Sequence, residues 1–236
     1  MGKIRWIQVN APEEGATYVY ELVKEKLEND ELRVIGLATG GTMEPVYEAW
    51  VQSPLDFSNT IAFNLDEYVG LDPSSPNSYA YFMNENLFQH KTFLKTYIPN
   101  GLADDEDEEC ERYERLLNEH PLDIQLLGVG ENGHIAFNEP GTSQDSLTHV
   151  ASLTPSTLEV NGQYFENREK MPTTAYTMGI RSILNAKQLI LLAFGERKRA
   201  AIEKLAEGVI DPNWPITHLL AHPNVIVISD LVEPKR

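Results

Sequence analysis

The sequence predicts an α/β protein, a single domain over residues 1–236 built on a mostly parallel, Rossmann-like, open doubly wound sheet with helices on both faces. Two observations lead there. Short apolar runs alternate with amphipathic stretches along the whole chain, the rhythm of repeated βαβ units. The runs are continuously apolar rather than alternating, as strands buried on both faces must be. With 236 residues, 42% hydrophobic and 23% charged, the chain is large enough for one sizeable core, and it carries no internal repeat, low-complexity segment or linker.

The elements follow in order. Lys3 to Val9 is a predicted strand, and Pro12 to Asn29 an amphipathic helix with Tyr18, Leu22, Val23 and Leu27 on one face. Leu32 to Leu37 is an apolar strand that runs into Ala38-Thr39-Gly40-Gly41-Thr42, with a helix from Met43 to Gln52. Thr60 to Leu65 is a strand ending in Asp66-Glu67-Tyr68. A Pro/Ser/Asn-rich turn from Asp72 to Ser78 precedes a helix from Tyr79 to Phe88. A strand is predicted at Phe93 to Ile98, and an acidic helix at Asp104 to Asn118, whose run Asp104 to Glu109 forms a solvated face with charge favourable to a helix N-terminus. Ile124 to Val129, Leu147 to Leu153, Ala175 to Met178, Gln188 to Phe194 and Val225 to Ile228 are further strands, with helices at Thr157 to Phe165 and Glu196 to Glu207. Val150 to Pro172 has the weakest pattern and is the candidate for a mobile lid.

The formal net charge of -17 disfavours nucleic-acid and anionic-membrane partners, while a local cluster of backbone N–H groups or a Lys still suits a phosphorylated small molecule. The single Cys, Cys110, excludes an internal disulfide and a Cys-based zinc site. Met1 to Asn10 lacks a secretory h-region and no apolar run is long enough to span a membrane, so a cytoplasmic protein is expected. The sequence leaves room for a homo-oligomer.

Four clusters at the ends of apolar strands carry candidate chemistry. Gly36-Leu37-Ala38-Thr39-Gly40-Gly41-Thr42 aims backbone N–H groups and a helix start at one point, which suits a phosphate; a tight turn capped by Thr42 is the other reading. Asn64-Leu65-Asp66-Glu67-Tyr68 places two carboxylates where ligands bind in open α/β sheets; Asp66 would be a general base if burial raised its pKa, and a turn cap is the alternative. Gly128 to Gly141 frames Asn132, His134 and Glu139 in a shaped loop; a His near neutrality beside a carboxylate suits proton transfer, and no second His at ligand spacing supports a metal. Gly195-Glu196-Arg197-Lys198-Arg199 puts cations at a helix start, which an anion would relieve, or forms a basic surface turn. In a parallel sheet these strand ends share one edge, so the clusters would converge.

These words together resemble the glucosamine-6-phosphate deaminase family, in its shorter bacterial form without a C-terminal extension. The resemblance covers almost the whole chain and rests on residues 36–42, 64–71, 133–141 and the Gly-x-x-Lys at 195–198. The related 6-phosphogluconolactonases share the fold and a Gly-His loop, but there an Arg usually follows the acidic pair, where this chain has Tyr68, and the Asn-Glu-Pro-Gly ending of residues 138–141 is missing. The resemblance implies aldose–ketose isomerisation with loss of ammonia, glucosamine 6-phosphate to fructose 6-phosphate, in amino-sugar catabolism, without metal or organic cofactor. It assigns the C2 proton to Asp66, ring opening to His134, support of the imidazole to Asn132 and Glu139, and the phosphate to Gly40, Gly41, Thr42 and Lys198, with Thr39 in the same turn. Asn132 stands where longer members have Asp, and Gln163 where the family usually has a phosphate-binding Arg; Arg168, Lys170 and Arg181 are candidate substitutes. The alternative is a related sugar-phosphate enzyme on the same fold, a lactonase-like hydrolase or an isomerase of another amino-sugar phosphate. A non-catalytic sensor fits less well, because Asp66, His134 and Glu139 are all retained.

Overall fold

A computed structural model describes residues 4–162, 165 and 171–231. Its centre is a seven-stranded parallel sheet built from β1 (Arg5–Gln8), β2 (Val34–Leu37), β3 (Phe57–Asn64), β5 (Phe93–Tyr97), β6 (Ile124–Leu127), β9 (Leu189–Ala193) and β10 (Val225–Ser229). The spatial order is β1-β10-β9-β6-β2-β3-β5. Every residue of β2, β6, β9 and β10 is buried, which is why these strands are apolar except at Gln125 and Ser229. The chain winds outward from β2 through β3 to β5, then returns to the other side of β2 with β6, so the strand order reverses between β2 and β6. Ligand crevices in open α/β sheets open at such a reversal, outside the carboxyl ends of the strands.

Helices α1 (Pro12–Glu28), α2 (Glu44–Val51), α3 (Tyr79–Met83), α4 (Glu106–Glu119), α5 (Pro155–Asn161), α6 (Ile180–Leu184) and α7 (Arg199–Ala206) connect the strands. Asp105 caps α4 by accepting from the Glu108 N–H, and four acidic residues fill its first turn, as predicted. Glu109 departs from the predicted solvated face: it is buried, takes the Asn100 N–H, and pairs with Arg112. The predicted helix Tyr79 to Phe88 divides into α3 and a π-helical turn at Asn84–Phe88. The predicted helix from Glu196 opens as a 3-10 turn (Glu196–Lys198) before α7. Neither α6 nor the 3-10 segment Pro215–Ala221 was expected from the sequence; both are short, and apolar through burial rather than periodic.

A second sheet was also not foreseen. β4 (Asp66–Tyr68), β8 (Thr174–Thr177) and β7 (His149–Ser152) pair antiparallel in the order β4-β8-β7. The Asp66-Glu67-Tyr68 segment is therefore a strand of its own rather than the tail of β3. Leu65 is the joint: its N–H bonds to Leu37 in the large sheet and its carbonyl to Met178 beyond β8. Tyr68, Phe137, Ala151, Leu153, Phe165, Met171 and Ala175 form a small apolar cluster on this sheet, separate from the main core. β7 and α5 occupy the first part of the expected lid. Among the described residues no helix is long and apolar enough to cross a membrane.

Candidate active site at the strand-order reversal

The four clusters follow β9, β6, β2 and β3, which are consecutive neighbours in the sheet. Parallel strands put all their carboxyl ends on one edge, so residues more than a hundred positions apart line one cavity of about 590 Å³. Thr39, Gly40, Gly41, Thr42, Asp66, Asn132, His134 and Lys198 line it directly. Glu139 sits behind His134 rather than in the wall. Gln163, Arg168 and Lys170 lie outside the described residues. Arg181 is exposed on α6 and away from the cavity lining.

The turn after β2 does not use Thr42 as a cap. α2 begins at Glu44, with Met43 in the N-cap position and no side-chain cap bond. Gly40 has φ +91, a conformation that only glycine adopts without strain, and a Cβ added at Gly40 or Gly41 would meet nothing within 4 Å. The turn thus presents bare backbone to open space. Of the three cations after β9, Arg197 pairs with Glu131 at 3.3 Å and Arg199 with Glu196, whereas Lys198 enters the cavity wall with no ion pair among the described residues. Desolvation lowers its pKa, an effect that Glu131 opposes. An anion beside the turn and Lys198 would restore the lost solvation.

The adjacent carboxylates of β4 have divided duties. Glu67 accepts the N–H groups of Tyr68, Tyr79 and Ala80, so it is the cap that fastens α3 to the small sheet. Burial raises its pKa and those three donors oppose the rise. Asp66 is 6% exposed and receives no hydrogen bond from the described residues. Burial, reinforced by the neighbouring Glu67 charge, pushes its pKa up to about 8. A desolvated carboxylate without donors is a far stronger base than one in water.

The loop after β6 is held by its own backbone and by a buried Asn138, whose amide donates to the carbonyls of Ile135 and Met178. Phe137 N–H bonds the Thr177 hydroxyl, and Ile216 N–H the Gly133 carbonyl. Ala136 has φ +51, an uncommon conformation for a residue with a Cβ, kept in place by these anchors. The His134 ring lies flat against Gly130: a Cβ there would stand 2.2 Å from the imidazole Cε1. Nδ1 of His134 is buried, without a hydrogen-bond partner among the described residues, and 3.6 Å from Glu139 Oε2. At that distance the contact is electrostatic rather than a hydrogen bond.

Asn132 does not touch the imidazole Nδ1. Its Oδ1 accepts the His134 backbone N–H and its Nδ2 donates to Glu139 Oε2, so it supports the ring through the backbone and the carboxylate. Burial disfavours the Glu139 charge, but His134, Thr157 and Asn132 outweigh it and hold the carboxyl at about 2. Thr154 and Thr157, from the start of α5, both donate to Glu139 Oε1. The sequence reading missed them, since Thr-Pro-Ser-Thr announces only a capped helix start. It also missed Tyr79 and Phe82 from α3 in the wall. Tyr68 packs on Tyr79 and Phe137 with ring centroids 5.0 and 5.7 Å apart, an enclosure in which an Arg would lose much of its hydration.

Comparison with known proteins shows the family. The family model for glucosamine-6-phosphate isomerases/6-phosphogluconolactonase matches residues 9–227. A glucosamine-6-phosphate deaminase of Listeria monocytogenes is 52% identical over 216 residues, 92% of each chain. One of Ligilactobacillus salivarius is 48% identical over 224 residues, 95% of each. Among solved structures, a monomeric glucosamine-6-phosphate deaminase superposes with TM-score 0.92 at 41% identity, covering 95% of this chain and 96% of that one. The 6-phosphogluconolactonase of Trypanosoma brucei, at 18% identity, TM-score 0.79 and 97% coverage of each, shares the fold alone. The chain therefore belongs to the family of glucosamine-6-phosphate isomerases and 6-phosphogluconolactonases.

Proposed function

We propose that the chain is an isomerising deaminase, a hydrolase that converts glucosamine 6-phosphate and water to fructose 6-phosphate and ammonia. The observation that carries this reading is one cavity holding two separate proton-transfer groups, Asp66 and His134, beside an anion-sized turn with its own Lys. Relatives about half identical over nearly the whole chain carry the same activity in their names.

The phosphate docks on the backbone of Gly40 to Thr42 and on Lys198, which fixes the sugar with its reacting carbons toward Asp66 and His134. With Nδ1 facing the Glu139 carboxylate, that nitrogen carries the proton and Nε2 is the free acceptor. His134 takes the anomeric hydroxyl proton and returns it to the ring oxygen, which opens the pyranose. Asp66 then removes the C2 proton and delivers it to C1, leaving a C2 imine that water hydrolyses with release of ammonia. The open-chain intermediate keeps its nitrogen until that last step, so isomerisation and deamination are one sequence. All the groups named come from one chain, in keeping with the monomeric relative. We place the reaction in the cytoplasm.

The test is to incubate the protein with glucosamine 6-phosphate and measure ammonia and fructose 6-phosphate, with 6-phosphogluconolactone as the competing substrate. Stoichiometric appearance of both products is expected. Lactone hydrolysis without ammonia would overturn the reading.

A further inference from the structure

The Glu139 carboxylate is held from two directions. On the loop side, Asn132 Nδ2 donates to Oε2 at 2.8 Å, and the same oxygen faces His134. On the opposite side, Oε1 accepts the hydroxyls of Thr157 and Thr154, the latter at 3.2 Å. Thr154 Oγ1 also lies 3.1 Å from Thr157 Oγ1 and caps α5 by accepting the Thr157 N–H. Thr157 is buried and lines the cavity as well. One short segment, the first turn of α5, therefore touches both the substrate space and the carboxylate that faces the imidazole.

A carboxylate with one free torsion next to a histidine can turn its other oxygen, or its edge, toward the ring. Two hydroxyls on Oε1 remove that freedom and leave Oε2 as the oxygen opposed to Nδ1. From the loop, His134 is the titratable group facing Glu139. From α5 the contacts are hydroxyls, and Glu159 on the same helix is exposed.

We propose that Thr157 is a positioning residue for ring opening, its hydroxyl locking the Glu139 carboxylate so that Oε2 orients the His134 imidazole and making α5 part of the catalytic assembly. The inference rests on the deaminase reading. It differs from a packing role because it requires the oxygen atom of residue 157 and the charge of residue 139 together.

The experiment is a double-mutant cycle read by ammonia release from glucosamine 6-phosphate. Thr157→Val keeps the shape and removes the donor; kcat is expected to fall about tenfold with KM within about twofold. In a Glu139→Gln background the same substitution is expected to change kcat by less than about twofold, because the group through which Thr157 acts is already neutral. Thr157→Ser, which keeps the hydroxyl, is expected to retain kcat within about twofold of the parent, and Thr157→Ala, one oxygen fewer than Ser, to repeat the Val result. The Ser and Ala pair carries the contrast if the Val chain does not fold. A Thr157→Val enzyme equal to the parent, or a loss that Ser shares and that persists beside Glu139→Gln, overturns the proposal. A parent with no ammonia release fails the deaminase reading instead.

Discussion

Replacing Asp66 with Asn separates the cost of the base from its use. Asp66 is 6% exposed, and burial with the Glu67 charge moves its pKa from 3.8 to about 8. Below pH 3.8 both the folded and unfolded states hold the proton and the group is neutral toward stability. Between 3.8 and 8 the unfolded chain releases its proton while the folded chain keeps it, so stability falls as pH rises, by about 1.4 kcal/mol per pH unit. Above 8 the folded state ionises too and the penalty levels off. At pH 7, about three units past the unfolded pKa, the accumulated penalty is about 4 kcal/mol. Asn resembles the neutral acid that already predominates in the fold, and it cannot ionise when unfolded. Asp66→Asn is therefore expected to abolish ammonia release and to unfold at higher denaturant, with a gain of up to about 4 kcal/mol at pH 7 that shrinks to nothing near pH 4. Urea titrations of parent and variant at pH 4, 5.5, 7 and 8 measure it. A variant no more stable than the parent at pH 7, or a gain independent of pH, refutes a buried carboxylate with a raised pKa. The same titration sets activity in the parent: kcat/KM should rise about tenfold per pH unit through neutrality and flatten near pH 8.

The other predictions concern the imidazole and the phosphate. Gly130→Ala drives a methyl into the His134 ring, 2.2 Å from Cε1, and should lower kcat by about a hundredfold with the thermal midpoint little changed; kcat within twofold of the parent would show that the ring does not depend on that flat contact. Lys198→Met removes a cation from the cavity wall and should raise KM for glucosamine 6-phosphate by at least about tenfold while sparing kcat, measured by initial rates. Gln163→Arg restores the residue usual in the family and should lower that KM about fivefold; an unchanged KM would remove residue 163 from phosphate recognition.

How much of this was legible in the sequence varies from element to element. The parallel sheet was legible because strands buried on both faces are nearly continuous apolar runs, and β2, β6, β9 and β10 are, with Gln125 and Ser229 the polar exceptions. Convergence of the four clusters was legible because parallel strands share a carboxyl edge, though nothing local states that β9, β6, β2 and β3 would be neighbours. The small antiparallel sheet was not legible: Asp66–Tyr68 is three residues long, too short for a periodic signal, and its partner β8 begins at Thr174, far along the chain. Residue type suggested His134 and Glu139 as a pair, but not that Asn132 reaches Glu139 rather than the ring, nor that α5 supplies two further hydroxyls.

The sequence alone determined which groups this protein has for chemistry: a His and a carboxylate in a glycine frame, an acidic pair after a buried strand, and a bare turn with a distant Lys. Those are covalent facts, and glycine's conformational freedom and the apolar pattern act locally on them. Tertiary structure alone decided what each group became. Asp66 and Glu67 are adjacent carboxylates with nearly equal chemistry in water. The fold gives Glu67 three N–H donors and makes it a cap, while Asp66 has none among the described residues and burial raises its pKa to about 8, because desolvation and hydrogen bonding depend on surroundings drawn from across the chain.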